Sequence, residues 1–131
     1  MNEHRPELAD RFREGGSYEE VAGYSRAARR ATTICVSGTT ALGAAARGDT
    51  YAQSCDALGR AIAAVEHLGG RREDVVRTRC FLAPGADFAA AGRAHAELLG
   101  DVAPANTTLY VHALIGEGLL VEVELDAVVP G

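Results

Sequence analysis

The C-terminal stretch Leu119 to Val129, LLVEVELDAVV, constrains this chain more than any other. Val121, Val123 and Leu125 fall on one side of a two-residue period, and Glu122, Glu124 and Asp126 fall on the other. Successive side chains of a strand point to opposite faces, so this is a strand with one apolar and one acidic face. The apolar face demands a cover, and the acidic face cannot serve as a core. A sheet covered by helices on one side often hides its second face in an oligomer.

The cover is also legible. Thr50 to Leu68 reads as a helix, with Thr50 and Gln53 fitting a capping box and Tyr51, Cys55, Leu58, Ile62 and Val65 forming one apolar stripe. Gly69-Gly70 ends it. A second helix, Phe88 to Leu99, has Asp87 as its cap, and Phe88, Gly92, His95 and Leu99 would share its buried side. Strands are expected at Tyr24 to Ala31, Thr32 to Thr40, Val75 to Ala83, and from Pro104 to about Ala113. The order is β-β-α-β-α-β-β, an α+β chain with a mixed sheet and both helices on one face. Thr108, Tyr110 and His112 are expected beside Glu122 and Glu124 on the other. Residues 1–22 are polar and read as an N-terminal arm that docks on a neighbour, with a short helix over Pro6 to Arg13. The domain runs from 23 to 131. No internal repeat is present.

Length and composition exclude several classes. The 131 residues fit one domain, with 47% hydrophobic and 24% charged residues. Roughly two thirds of the extended chain's surface can be buried at this size. The net charge of -5 speaks against a nucleic-acid partner. All 13 basic residues are Arg. Without Lys there is no internal Schiff base, no lysine aldolase chemistry and no P-loop lysine. Arg in place of Lys, with abundant Ala, suggests a GC-rich genome. Cys35, Cys55 and Cys80 form no CxxC pair, so no metal site is expected, and an odd number of thiols suits a cytoplasmic protein. No run reaches signal-peptide or membrane-span character.

Several segments in order resemble the Rid family (reactive intermediate deaminases, YjgF type). They are Gly23-Tyr24-Ser25-Arg26-Ala27, Val36-Ser37-Gly38, Asp74-Val75-Val76-Arg77-Thr78, Asp87-Phe88, Pro104-Ala105 and Val121-Glu122-Val123-Glu124. The match spans about four fifths of the chain. The resemblance implies a chorismate-mutase-like homotrimer with inter-subunit clefts. It also implies cofactor-free, metal-free hydrolysis of enamines and imines to ketones and ammonia. Active members carry an Arg directly after the Pro-Ala pair, a bidentate grip on the substrate carboxylate. This chain has Asn106 there. An arginine-lacking branch is therefore expected, not an ordinary 2-iminoacid deaminase.

The resemblance aligns Glu122 with the acidic residue that positions the attacking water, and a cleft carboxylate can move a proton. Tyr24 aligns with a cleft tyrosine. Ser37 can hydrogen-bond a ligand and Gly38 permits close backbone approach. Asn106 can bond a neutral ligand, with Thr108 following at period two, and His112 can titrate near neutrality. Each also has an ordinary reading: paired glutamate, half-buried aromatic, strand residue, interface histidine. Cys35 reads as a core thiol. Arg26, Arg77 and Arg79 read as ion-pair partners of Glu124 or Asp126, although one of them can replace the missing clamp. The expected function is a cofactor-free enzyme acting on a small enamine, imine or carbonyl intermediate, by hydrolysis, tautomerisation or a related lyase step, as a tailoring step in secondary metabolism or catabolism. The alternative is a non-catalytic trimer that binds a metabolite or stabilises a partner.

Overall fold

The structure, a computed structural model, describes residues 10–131. Among the described residues, six strands form one mixed sheet: β1 (Arg11–Phe12), β2 (Ala27–Arg30), β3 (Thr33–Thr39), β4 (Val75–Leu82), β5 (Ala105–Tyr110) and β6 (Val121–Val128). The helices are α1 (Ser17–Ala22), α2 (Thr50–His67) and α3 (Phe88–Leu99). The sheet order is β1-β2-β3-β6-β4-β5. Only β4 and β5 run parallel, joined through α3. The alternating strand β6 lies inside the sheet, between β3 and β4.

Val121, Val123 and Leu125 are fully buried, as their period requires, together with Ile34, Leu58, Val65, Leu82 and Leu99. Truncating Leu125 to Ala would cost about 2–5 kcal/mol. α2 lies over β3 and β6, and α3 packs against α2.

Helix α2 begins where expected, but Asp49 caps it by accepting from the Ala52 N–H at 2.9 Å. The expected Thr50–Gln53 box does not form, because both residues are buried and bonded elsewhere. Thr50 Oγ1 accepts from the Asp87 N–H, tying the starts of α2 and α3 together. Gln53 donates to the carbonyls of Ala46, Gly48 and Gly118 and accepts from the Leu120 N–H. It thereby fixes the loop that leads into β6. Tyr51 and Cys55 are only half-buried, and Ser54, Ala57 and Ala61 take the inner stripe. On α3, Ala90, Ala91, Ala94 and Leu99 are buried, whereas Phe88 is 59% exposed and Gly92 is exposed. The Ala-rich helix buries its small face, so the bulky residue is left at the rim.

Of the helix expected over Pro6 to Arg13, residues 6–9 lie outside the described part. Arg11 and Phe12 form strand β1, pairing with Ala28 and Ala27. The Phe12 ring stacks on His67 at 4.0 Å between centroids. From Arg11 onward the arm docks on its own sheet. No helix among the described residues is long and apolar enough to cross a membrane.

The placement of Thr108 and Tyr110 differs from expectation. Asn106, Thr108 and Tyr110 pair in register with Thr78, Cys80 and Leu82, the buried face of β4. Residues paired across neighbouring strands share a face, so these three lie on the helix side. Glu122 and Glu124 pair with Phe81 and Arg79 and lie on the opposite side. His112 is exposed beyond the end of β5. The strand period was read correctly, but it does not reveal which face of β5 meets the helices.

Candidate functional site

Beside the sheet face opposite α2 and α3, a cavity of about 1090 Å³ opens under the N-terminal arm, with Arg60 of α2 reaching into its wall. Its wall carries Tyr24, Arg26, Gly38, Thr40, Arg60 and Glu122. Helix α1 and the preceding turn form its roof, and Ile115, from the loop that Gln53 fixes, stands at its edge.

A bulge in β3 shapes the floor. Register with β6 shifts between Val36 and Thr39, and both residues point to the core. The extra residue lets Ser37 and Gly38 pass across the open face between them. A Cβ on Gly38 would stand 2.2 Å from Glu122 Oε2. The glycine therefore makes room for a carboxylate of the same chain, where the sequence reading had a ligand approaching. Burial pushes the Glu122 carboxyl above the usual range. The Arg26 charge opposes that shift and the Glu124 charge adds to it.

Glu19 is the second carboxylate of the cavity. It is buried in α1 and accepts from the N–H groups of Glu14, Gly15 and Gly16. Burial pushes its carboxyl up, but these backbone bonds and Arg26 outweigh it and hold it below the usual range. The Arg26 side chain is only 11% exposed, and its Nε lies 4.0 Å from Glu19 Oε2. Its guanidinium carbon is 5.9 Å from the centre of the Tyr24 ring.

Tyr24 also lines a neighbouring cavity of about 440 Å³ with Ser37, Cys35, Glu124 and Asp126. Ser37 donates its hydroxyl to the Ser25 carbonyl at 2.7 Å. Cys35 is an exposed residue, not a core thiol, because it shares the open face with Ser37. Burial, followed by the neighbouring Asp126, pushes its thiol pKa up. Arg79 reaches Glu124 and Asp126 at 3.4 Å each, the ion pairing read from the sequence, here within one chain.

Asn106 sits on the other face in a third hollow, with Thr108, Cys80, Phe88 and His95. Its amide nitrogen donates to Thr78 Oγ1 at 3.0 Å and approaches Cys80 Sγ at 3.9 Å. Its oxygen accepts from Thr108 Oγ1 at 2.9 Å. Thr78 Oγ1 lies 2.8 Å from His95 Nε2. With Asn106 donating to Thr78, the buried hydroxyl proton is available to Nε2, an arrangement that suits a neutral imidazole protonated on Nδ1. Burial holds its pKa below the usual histidine range.

The structure thus joins Tyr24, Gly38 and Glu122 in one cavity, with Ser37 adjacent, and separates them from Asn106, Thr108 and His112. Glu19 and the pocket-facing position of Arg26 were missed. Arg26 stands two residues from Tyr24, a spacing that signals a shared side of an extended segment. Glu19 gave no such signal, since an acid in a short polar helix looks solvated. No group of three His, Cys, Asp or Glu side chains that could hold a metal ion occurs among the described residues.

This sheet, bulge and cavity define a class of protein that comparison identifies. The sequence model of the endoribonuclease L-PSP family matches residues 16–129, and the chain belongs to that family, the YjgF/Rid family. Rv2704 of Mycobacterium tuberculosis is described as a member of the highly conserved YjgF/YER057c/UK114 family. It is 39% identical, with a TM-score of 0.84 over 91% of this chain and 98% of that one. The uncharacterized protein SCO2049 of Streptomyces coelicolor is 39% identical over 92% of each chain. The YjgF gene product of E. coli, 24% identical with a TM-score of 0.69 over 80% of this chain and 87% of that one, shares the fold. The α+β fold expected from the resemblance is that of these relatives.

Proposed function

We propose that this chain is a cofactor-free enzyme acting on a small enamine, imine or carbonyl intermediate, with Glu122 as the proton-moving group. The carrying observation is the half-buried Glu122 carboxyl, seated against the bare backbone of Gly38 in a cavity that Tyr24 also lines. A carboxyl that burial makes a stronger base than a free one can both take and return a proton. With an imine, Glu122 takes a proton from water as the oxygen attacks carbon, then returns it to nitrogen. The carbinolamine collapses to a carbonyl and ammonia leaves. With an enol, the same group carries one proton from oxygen to carbon. Tyr24 hydrogen-bonds the substrate's heteroatom and Ser37 shapes the adjoining wall.

The working form we propose is a homotrimer in which the exposed β5 edge of a neighbouring copy, and the His112 that follows it, close the open side of the cavity. The chain belongs to an arginine-lacking branch, so the carboxylate clamp from β5 is missing and a substrate carboxylate has to be held from another side of the cavity. RNA cleavage, which the family's name evokes, suits this chain poorly, since a net charge of -5 and three acidic side chains along β6 repel a polyanion. We place the protein in the cytoplasm, in a tailoring step.

A second reading, a non-catalytic trimer that binds a metabolite, gains support from Asn106, whose amide is committed inside its own chain. Glu122→Gln separates the two. Imines are generated from an amino-acid panel by an oxidase, and ammonia release is followed. The variant should lose about 10²- to 10⁴-fold in rate with an unchanged melting temperature, while Glu124→Gln stays active. Full activity in Glu122→Gln contradicts the catalytic reading. Light scattering that shows a monomer at micromolar concentration contradicts the trimer.

A further inference from the structure

The Glu122 cavity is lined by a cation, Arg26, with one buried donor that makes no hydrogen bond. The Arg26 backbone is fixed on both sides, its N–H donating to the Phe12 carbonyl and its carbonyl accepting from the Ser37 N–H. Its Nε is buried and has no hydrogen-bond partner. Glu19, the nearest carboxylate, already accepts three backbone N–H groups and stands at 4.0 Å. The cavity's other arginine is committed, because Arg60 donates to Glu14 Oε1 and to the Thr40 carbonyl at 2.5 Å each. A buried donor without a partner is costly and rare in folded proteins. A ligand that supplies the missing acceptor removes that cost.

We propose that Arg26 is the anion anchor of this cavity and determines its specificity. It receives a carboxylate, or a like planar oxyanion, of the substrate and presents the remainder to Glu122 across Gly38. The inference rests on the reading that this cavity is the reaction site. Gly38 lies on β3, between the strand that follows Arg26 and the strand of Glu122. Lacking a side chain, it leaves the space between the two open. The Nε edge of a guanidinium offers two parallel N–H groups that match two carboxylate oxygens. The anion is therefore gripped from the β2 side of the sheet, where the arginine-bearing relatives implied by the resemblance grip it from β5. The negative charge of Glu122 keeps an anion to the Arg26 end and reserves the other end for the reacting carbon.

The test is calorimetric titration with pyruvate, 2-oxobutyrate and phenylpyruvate as product-like acids, with methyl pyruvate as the neutral control. The intact protein should bind at least one acid and discriminate against the ester. Arg26→Gln should weaken the acid roughly ten- to hundredfold, and Arg26→Lys should fall between, since it keeps charge but loses the fork. Glu122→Gln should bind the acid at least as tightly while its turnover falls. Full turnover in that variant would sink the role of Glu122 and leave the Arg26 result readable. Equal binding of acid by Arg26→Gln and the intact protein overturns the anchor. So does equal binding of acid and ester, or no binding of any acid at millimolar concentration. Should Arg26→Gln unfold, the acid-to-ester ratio of the intact protein decides alone.

Discussion

Around Thr78, on the helix-covered face, polar side chains close a chain of hydrogen bonds: Thr108 to Asn106, Asn106 to Thr78, Thr78 to His95. Around Gly38, on the opposite face, the polar groups are not equally served. Arg26 Nε has no hydrogen-bond partner, and the Glu122 carboxyl is raised by burial. Both clusters contain residue types that suit a site. What separates them is whether their bonding capacity is used internally. A closed chain stabilises one structure and asks for nothing more. A buried donor and a half-buried acid facing a cavity of about 1090 Å³ leave work for a ligand.

The comparison can be broken most sharply at Gly38. Gly38→Ala places a methyl group where Glu122 Oε2 stands. The carboxylate must swing away, and we expect turnover to fall by about 10² or more, toward the loss of the acid itself. Steady-state rates beside a thermal melt check this, and an active Gly38→Ala would show that the close approach is incidental. On the other face, Thr78→Val should leave turnover within a small factor but cost about 1–3 kcal/mol of stability, because it orphans His95 Nε2 and an Asn106 donor at a fully buried position. Urea denaturation measures the cost. Asn106→Ala removes a more exposed member of the same chain and should cost about 1 kcal/mol.

The smallest expected effect is one of pH. Burial holds His95 below the usual histidine range, so the folded state keeps it neutral. The unfolded chain binds a proton near pH 6.5. The resulting stabilisation is fully present above that value and is lost as pH falls through the lower, folded pKa. Melting temperatures should therefore decline on acidification below about pH 6.5, and His95→Gln should flatten that part of the curve. An unchanged slope would show that burial does not hold His95 neutral in the folded state.

Much of the fold was readable because the chain is periodic. Val121, Val123 and Leu125 announced a buried strand, and Asp87 and Leu99 bounded α3 within a residue. The misread positions share a cause. Gln53 and Thr50 looked like a local cap, but their partners are Gly118, Leu120 and Asp87, remote in sequence. Phe88 looked buried because it is apolar, yet Ala90, Ala91 and Ala94 fit the narrow gap against α2. The site was half legible for the same reason. Tyr24, Gly38 and Glu122 stand in a recognisable order along the chain. Which face of β5 carries Asn106 depends on parallel register with β4, which no local pattern encodes. Glu19 became part of the cavity only through three backbone N–H groups of the turn before its own helix.

Pyruvate affinity of Arg26→Gln and Asn106→Ala, measured side by side by calorimetry, tests most directly which cluster meets the ligand. The account predicts a roughly ten- to hundredfold loss for Arg26→Gln and an affinity within a small factor of the intact protein for Asn106→Ala. Loss of binding in Asn106→Ala with retention in Arg26→Gln would contradict it and place the ligand on the other face of the sheet.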